Sequence, residues 1–305
     1  MPLRKLVPLV VLGALALVCS PTRPLAQSAP LLRVGVVTDI HHADIETNGA
    51  RTYRESATKL AACVRVMNER RVDLLVELGD FKDQDKTPDE SRTLTYLREI
   101  ESVFAGFNGP RYHVVGNHDN DSLSKAQFMS VVRNAGRAPV ATHYTFVQRG
   151  IRFVALDANH KADGSDYDHG NFDWGDTNID PAQMAWLTST LSASREPVVV
   201  MVHQQLDGAG AYYVKNAPAV RAILEKSGNV IAVFQGHRHE GAFSAINGVP
   251  YVTFRGVIEG PPLPDNAFSI AEIRPDLSVW ITGYGRAESR GFRSAAAETL
   301  ARKRP

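Results

Sequence analysis

The segment Tyr112–Asp121, YHVVGNHDND, runs a strand-forming stretch into Gly116 and then places an amide, an imidazole and a carboxylate side by side. Such a turn is either an idle polar loop or part of a site. Four other apolar runs end in the same way, with metal-binding side chains directly after them: Asp39 and His41 in VVTDIHH, Asp80 in VELGDFKD, His203 in VVVMVHQ, and His237 with His239 in VFQGHRH. Five runs that end alike predict strands whose ends meet at one crevice.

Short β-branched runs alternate with helical patterns from Leu31 onward. LLRVGVVTD, VDLLVELGD and RYHVVGN have the composition of buried strands, and helical patterns lie between them near residues 55–70 and 91–107. This βαβαβ order predicts an α/β fold with a largely parallel central sheet. Farther along, Arg149–Gly150 and Asn247–Gly248 predict hairpins, and two closing strands follow.

Length and composition predict one globular domain. The chain has 305 residues, of which 44% are hydrophobic and 22% are charged, as in an ordinary soluble protein. Since no repeat or linker divides it, we expect a catalytic domain at residues 31–285 and a tail at residues 286–305 with a peripheral helix. The formal net charge of +1 gives no reason to expect a nucleic acid as partner.

Residues 1–26 have the layout of a secretory signal peptide. Two basic residues precede the apolar run Leu6–Val18, and candidate cleavage points follow at Ser20 and Ala26. The run is shorter than the roughly 20 residues of a membrane span. We therefore expect a secreted or periplasmic protein without stable membrane insertion. A lipid anchor at Cys19 is the less favoured alternative, because the residue before it is not small.

The side chains at the strand ends predict a metal centre. Carboxylates and imidazoles that share one crevice repel each other or lose hydration unless a cation compensates them. Mixed Asp, Asn and His ligation suits Mn, Fe or Zn, and the number of ligands indicates two ions with Asp80 as the shared ligand. The assignment is Asp39, His41, Asp80 and His239 to one ion, and Asp80, Asn117, His203 and His237 to the other.

Four residues are candidates for substrate contact, each with a structural alternative. His42 faces either the substrate or solvent. Arg51 and Arg54 either hold a phosphate or nucleotide or belong to a solvated helix start. Asp83 either contacts the substrate, supports Asp80 or caps a helix.

Aromatic residues interrupt a long polar segment at residues 158–180. Tyr167, Phe172 and Trp174 lie among Asp, Gly and Asn, in a stretch too polar to form core. Two interpretations stay open: an aromatic ring stacks on a nucleobase, or it anchors the loop.

Taken in order, the motifs D-x-H, G-D-x-x-D, G-N-H-D, a lone His and G-H-x-H resemble those of the calcineurin-like metallophosphoesterase superfamily. The resemblance extends from Val34 to about Tyr284, nearly the whole mature chain. It implies a four-layer α/β/β/α sandwich of two mixed sheets flanked by helices. It also implies a binuclear metal centre that hydrolyses phosphate esters.

Branches of the superfamily differ at identifiable positions. Asp83 stands where purple acid phosphatases have a metal-binding tyrosine, and the chain is too short for the second domain of the 5'-nucleotidase branch. The segments Thr38–Leu60 and Phe172–Leu187 are most similar to the group that contains secreted alkaline phosphatases and manganese-dependent ADP-ribose/CDP-alcohol diphosphatases. The chain departs from these diphosphatases at His41, where they often carry Gln.

Together, the signal-peptide layout and the resemblance lead us to expect an exported hydrolase of small phosphorylated substrates. We expect hydrolysis of phosphate monoesters, or of diesters, by direct attack of a hydroxide that bridges the two ions. His118 is expected to protonate the leaving oxygen, with Asp119 fixing its tautomer. The alternative is a nucleotide diphosphatase acting on ADP-ribose or CDP-alcohol substrates, and a more remote one is a non-catalytic metal-binding scaffold. The sequence does not define the oligomeric state.

Overall fold

The computed structural model describes residues 29–136, 141–262 and 264–302. The strands in these ranges are β1 (Leu32–Val37), β2 (Leu74–Glu77), β3 (Arg111–His113), β4 (Tyr144–Gln148), β5 (Ile151–Ala155), β6 (Val198–Val202), β7 (Val230–Gln235), β8 (Ala242–Ile246), β9 (Val249–Thr253), β10 (Ala267–Ile273), β11 (Val279–Gly285) and β12 (Arg290–Phe292). The helices are α1 (Ser56–Glu69), α2 (Glu90–Phe104), α3 (Lys125–Val131), α4 (Pro181–Ala193), α5 (Ala217–Ser227) and α6 (Ala295–Ala301). The predicted helices and hairpins are therefore present.

The strands form two six-stranded sheets, in the orders β12-β11-β10-β1-β2-β3 and β4-β5-β6-β7-β9-β8. Strands β1, β2 and β3 are parallel, as are β5, β6, β7 and β9. The remaining neighbours pair in antiparallel fashion. The expectation of one largely parallel central sheet is thus wrong, because the chain leaves the first sheet after β3 and returns only with β10. The two mixed sheets that the resemblance implied are present.

Three apolar clusters separate four layers. The central cluster lies between the sheets and includes Val76 and Phe153. A second cluster, which includes Leu97 of α2, lies between the first sheet and helices α1, α2 and α3 on its outer face. A third cluster lies between the second sheet and helices α4 and α5, which contribute Leu187 and Leu224. Fully burying one such side chain stabilises the fold by about 1.5–3 kcal/mol. The fold is therefore the four-layer α/β/β/α sandwich.

The C-terminal tail contributes a strand as well as the expected helix. Arg290–Phe292 pairs with β11 and extends the first sheet, and α6 buries Ala297 in the central cluster. The strand is only three residues long and contains Gly291, so no alternating pattern announced it. The sandwich thus includes residues beyond 285.

The described residues contain no helix that is long and apolar enough to cross a lipid bilayer. The predicted signal peptide, residues 1–26, lies outside the described part of the chain.

The loops after β1, β2, β3, β6 and β7 all begin at the carboxyl ends of parallel strands. These loops carry the motifs of the sequence analysis.

Candidate metal centre

The backbone reverses sharply at several of the predicted ligands. Asp39, His41, Asp80 and His237 have φ angles of 52°, 48°, 58° and 66°. Few non-glycine residues adopt this region, and such conformations concentrate at functional sites. The reversal lets Asp39 and His41 point to one side while Ile40 between them is buried under the helices. The D-x-H spacing predicted this turn.

Two glycines allow the ligand loops to approach each other. A Cβ atom on Gly116 would collide with the backbone nitrogen of Asp80, and one on Gly79 would lie 2.5 Å from His203 Nδ1. Gly79 also has a φ of 101°, which side chains rarely permit. The glycines of the G-D and G-N motifs are therefore required by close packing between loops.

The predicted ligands converge in two groups of buried side chains. In the first group, His239 Nε2 lies 3.4 Å from Asp39 Oδ1 and 3.3 Å from His41 Nε2. In the second, His203 Nε2 lies 3.1 Å from Asp80 Oδ2, and His237 completes the set. Within each group the potential ligand atoms lie within 4.8 Å of one another.

Two carboxylates connect the groups. Asp80 Oδ2, 3.1 Å from His203 Nε2, is also 3.6 Å from His41 Nε2. Asp39 Oδ1 in turn lies 4.0 Å from His203 Nε2. Both carboxylates therefore sit where the two groups meet, and Asp80 has the position expected of a shared ligand.

Unsatisfied polar atoms test whether these residues fit metal ions. Asn117 Oδ1 and His237 Nε2 are buried and have no hydrogen-bond partner, an arrangement that destabilises a fold unless something else binds them. Burial and nearby His203 lower the pKa of His237 to about 3, which leaves its ring neutral and able to ligate. Oxygen and imidazole donors without a thiolate suit Mn, Fe or Zn. The residues fit a two-metal site.

The rings of three histidines are held from their far side. Nδ1 of His203 lies 2.8 Å from the carbonyl oxygen of Leu78, Nδ1 of His41 lies 3.2 Å from Asp83 Oδ2, and Nδ1 of His239 lies 3.2 Å from Glu259 Oε1. In each case Nε2 is left to face the centre. Such contacts fix the tautomer and orientation of metal-binding imidazoles.

Glu259 was not found from the sequence. It lies six residues beyond β9 in the loop GVIEGPP, which has no strand-end pattern. The loop is held by Lys59 Nζ, which donates to the carbonyl oxygens of Val257 and Ile258 at 3.1 and 2.9 Å. Only the folded structure reveals this carboxylate beside His239.

His118 lies at the edge of the centre, and its ring centroid is 4.7 Å from that of His41. Its backbone N–H donates to Asp80 Oδ1 at 2.8 Å, and its Nδ1 lies 2.7 Å from Asp121 Oδ2. Burial disfavours the charged ring, but Asp121, Asp83 and Asp80 outweigh it and raise the pKa of His118 well above its ordinary value. These carboxylates therefore favour the protonated ring, which suits a role as an acid.

The role predicted for Asp119 is wrong. Its carboxylate does not contact the His118 ring but accepts hydrogen bonds from the backbone N–H groups of Gly116, Asp80 and Phe81 at 2.8, 3.1 and 3.0 Å. Asp119 therefore ties the loop of Asp80 to the loop of Asn117. The 3-10 turn that follows Asn117 brings Asp121, three residues after His118, to the imidazole instead.

Two of the four substrate-contact predictions are not supported. His42 Nε2 lies 3.1 Å from Glu99 Oε2 on α2, so its ring packs against that helix. Asp83 is buried between two imidazoles and positions His41. A site-facing role fails for His42 because its contacts with Glu99 and Tyr96 hold the ring against α2.

The two arginines lie in the walls of clefts beside the centre. Arg51 is shared by an inner pocket of about 300 Å³ and an outer cleft of about 760 Å³, as is His118. Arg54 lies farther out and binds Asp44 and Glu46 at 2.5 and 2.6 Å. Arg51 is thus the arginine placed to meet a phosphate, while Arg54 is engaged by carboxylates.

Two adjoining carboxylate–imidazole groups in an α/β/β/α sandwich define a metal-dependent hydrolase of the two-ion class. A model of the calcineurin-like phosphoesterase family matches residues 32–241. The chain belongs to this family and is a metallophosphoesterase. The scaffold alternative loses its basis, since the family is one of hydrolases and six of the seven predicted ligands meet in the two groups.

Curated relatives carry one name. The chain is 27% identical over 290 residues to a manganese-dependent ADP-ribose/CDP-alcohol diphosphatase of Oryza sativa subsp. japonica. That alignment covers 81% of this chain and 89% of the relative. It is also 27% identical over 318 residues to the protein of that name from Danio rerio, with 85% and 97% covered. A crystal structure of a dimetal phosphatase from Danio rerio superposes with a TM-score of 0.75 at 24% identity, covering 87% of this chain and 99% of that one. This superposition shows that the folds agree.

Proposed function

We propose that this metallophosphoesterase hydrolyses the diphosphate bond of nucleotide-type substrates such as ADP-ribose and CDP-alcohols. The main support is the pair of adjoining ligand groups that meet at Asp80. They lie beside a pocket and a cleft that share Arg51 and His118. An inner pocket at the centre that shares these two residues with an outer cleft gives room for a substrate with a group on each side of its phosphates. The names of the curated relatives support this substrate class. The monoesterase activity favoured by the sequence analysis thus becomes the second candidate.

The chain's residues would divide the work as follows. Bound divalent ions supply a water of lowered pKa and polarise the phosphoryl oxygens. Arg51 contacts a phosphate oxygen, and its planar guanidinium suits that geometry. His118, protonated and held by Asp121, gives its proton to the oxygen that leaves when the P–O bond breaks. Asp119 keeps the two ligand loops in register.

A substrate panel tests the proposal. The purified protein would be loaded with Mn²⁺, and kcat/KM would be measured for ADP-ribose, CDP-choline, an aryl phosphate monoester and a bis-aryl diester. We expect the two nucleotide diphosphates to be the best substrates and AMP and ribose 5-phosphate to be the products from ADP-ribose. A preference for the aryl monoester would support the second candidate instead. We also propose manganese as the working metal, because the relatives are named as manganese-dependent. Repeating the panel with Fe, Zn and Co tests this choice.

We also propose that the protein is exported. The support is the basic start, the short apolar run and the candidate cleavage points within residues 1–26. Mass spectrometry of the mature protein from the producing cell would show a new N-terminus after Ser20 or Ala26, with the protein outside the cytoplasm. An intact N-terminus in the cytoplasmic fraction would contradict export.

A further inference from the structure

Two exposed aromatic rings line the inner pocket. Trp174, in the loop between β5 and α4, is 42% exposed, and Tyr212, in the loop between β6 and α5, is 47% exposed. Their ring centroids lie 5.2 Å apart, and they lie 6.2 and 5.7 Å from the ring centroid of His237. Both line the pocket that also contains Asn117 and His118. The two rings therefore form a wall directly beside a predicted metal ligand.

Other residues anchor the loops that carry these rings. Tyr167 is fully buried and stacks on Phe172, with ring centroids 4.0 Å apart and planes inclined by 4°. A backbone hydrogen bond of 2.8 Å from Lys215 to Thr177 joins the two loops. The sequence left open whether these aromatic residues anchor the loop or stack on a nucleobase. Tyr167 and Phe172 anchor the loop, and Trp174 is not needed for that purpose.

The two exposed rings are tilted rather than stacked on each other, since their planes are inclined by 42°. Large exposed apolar side chains are few in the described ranges, namely Val147, Trp174, Tyr212 and Trp280, and two of the four meet at this pocket. Exposed aromatics that converge beside polar groups are typical of ligand-binding surfaces. These rings suit a bound molecule that is flat and aromatic on one side and anionic on the side that meets the metal-binding residues.

We propose that Trp174 and Tyr212 form a stacking platform for the base of a nucleoside diphosphate substrate, an inference that rests on the proposed diphosphatase function. Phosphate bound at the ligand groups leaves the nucleoside within reach of rings that adjoin His237. Stacking on an aromatic side chain accepts every base, because every base has a π face. The platform therefore predicts that substrates with a purine and with a pyrimidine are both accepted.

A ratio of catalytic efficiencies tests the platform. kcat/KM would be measured for ADP-ribose and for its abasic counterpart, in which hydrogen replaces adenine. For Trp174→Ala and Tyr212→Ala we expect the ratio of the two values to fall by about 5- to 150-fold. Trp280→Ala is the matched control, since Trp280 is 41% exposed but lies on β11, outside the pocket. An unchanged ratio in both pocket variants, or an equal fall in the control, overturns the proposal.

Binding of AMP separates this inference from the proposed function, because it requires no turnover. We expect AMP to quench the tryptophan fluorescence of the manganese-loaded wild-type protein, and we expect Trp174→Phe to remove that quenching. This result supports the platform even if ADP-ribose is not hydrolysed, in which case only the diphosphatase proposal fails. An absence of quenching in the wild type, or quenching that persists in Trp174→Phe, contradicts the platform.

Discussion

Glu259 and His239 form a carboxylate–imidazole pair in which Oε1 lies 3.2 Å from Nδ1, while Nε2 of the same ring lies 3.4 Å from Asp39 Oδ1. The two nitrogens of His239 thus have separate tasks. Nδ1 meets a carboxylate that sets the ring orientation, and Nε2 is available to a metal ion. A contact of this type also raises the basicity of the ligand nitrogen.

Glu259→Gln is expected to weaken metal binding by about 10- to 100-fold, because the amide holds the His239 ring without the negative charge. The measurement is the apparent Kd for Mn²⁺ from metal titration of the metal-free protein. Glu240→Gln is the control, since it removes the same charge from a side chain that is 70% exposed and paired with Arg238. Equal manganese affinity in wild type and Glu259→Gln would show that Glu259 does not position the ligand.

His118→Ala is expected to lower kcat by about 10²- to 10⁴-fold while the metal content stays at the wild-type level, because the imidazole donates a proton but is not assigned as a ligand. Turnover of ADP-ribose and metal analysis of the same sample provide the two readouts. His169→Ala, at an exposed histidine paired with Asp168, serves as the control. Wild-type turnover in His118→Ala would remove this residue from the acid role.

Asp121 and Asp119 are expected to respond differently to replacement by asparagine. Asp121→Asn weakens the support of the His118 ring, so kcat falls while thermal stability changes little. The Asp119 carboxylate accepts three backbone hydrogen bonds through its two oxygens, whereas asparagine offers only one oxygen. Asp119→Asn is therefore expected to destabilise the fold by about 1–3 kcal/mol. Kinetics and thermal unfolding of both variants distinguish the two roles. The reverse pattern would restore Asp119 as the residue that orients the imidazole.

Much of the site follows from the positions at which apolar runs end. Asp80 and His203 could be paired from sequence because strand ends converge, and the spacing of Asp39 and His41 required a backbone turn. Glu259 could not be found, because it sits in an irregular loop that only packing brings to His239. Asp121 had a usable signal in its spacing of three residues from His118, which suits a helical turn.

Composition and periodicity alone predict the parts of the fold but not their arrangement, which only the family resemblance supplied. Strand and helix patterns are local properties, so β1, β2 and β3 could be recognised from composition and periodicity. The division into two sheets depends on long-range pairing, such as that of Leu32 with Ile273. The edge strand β12 pairs on one side only and is too short to show a period. These features depend on contacts that no local pattern encodes.

The buried contact among His113, Glu77 and Glu101 predicts a pH dependence of stability. His113 Nε2 lies 3.1 Å from Glu101, and Nδ1 lies 3.4 Å from Glu77. Burial lowers the pKa of His113, but the two carboxylates outweigh it and raise the pKa to about 9 from 6.5. Burial raises the pKa of Glu77 to about 8 from 4.5. The unfolded chain releases the Glu77 proton above pH 4.5 and the His113 proton above pH 6.5, whereas the folded state keeps them until about pH 8 and about pH 9. Stability therefore falls as pH rises through each of these two windows.

The double variant Glu77→Gln/His113→Gln should lose this contribution. The difference in the free energy of unfolding between wild type and variant is expected to shrink with rising pH, by up to about 1.4 kcal/mol per pH unit for each proton. Urea unfolding at pH 6.5, 7.5 and 9, with metal absent from both proteins, measures this difference. A difference that is constant with pH, or that grows as pH rises, would refute the assigned protonation.

Anomalous scattering from crystals of the manganese-loaded protein would show directly whether two ions share Asp80. We expect two manganese ions per chain, with Asp80 in contact with both. Asp39, His41 and His239 should surround one ion, and Asn117, His203 and His237 the other. A single ion, or two ions of which neither contacts Asp80, would contradict the two-metal assignment and the mechanism built on it.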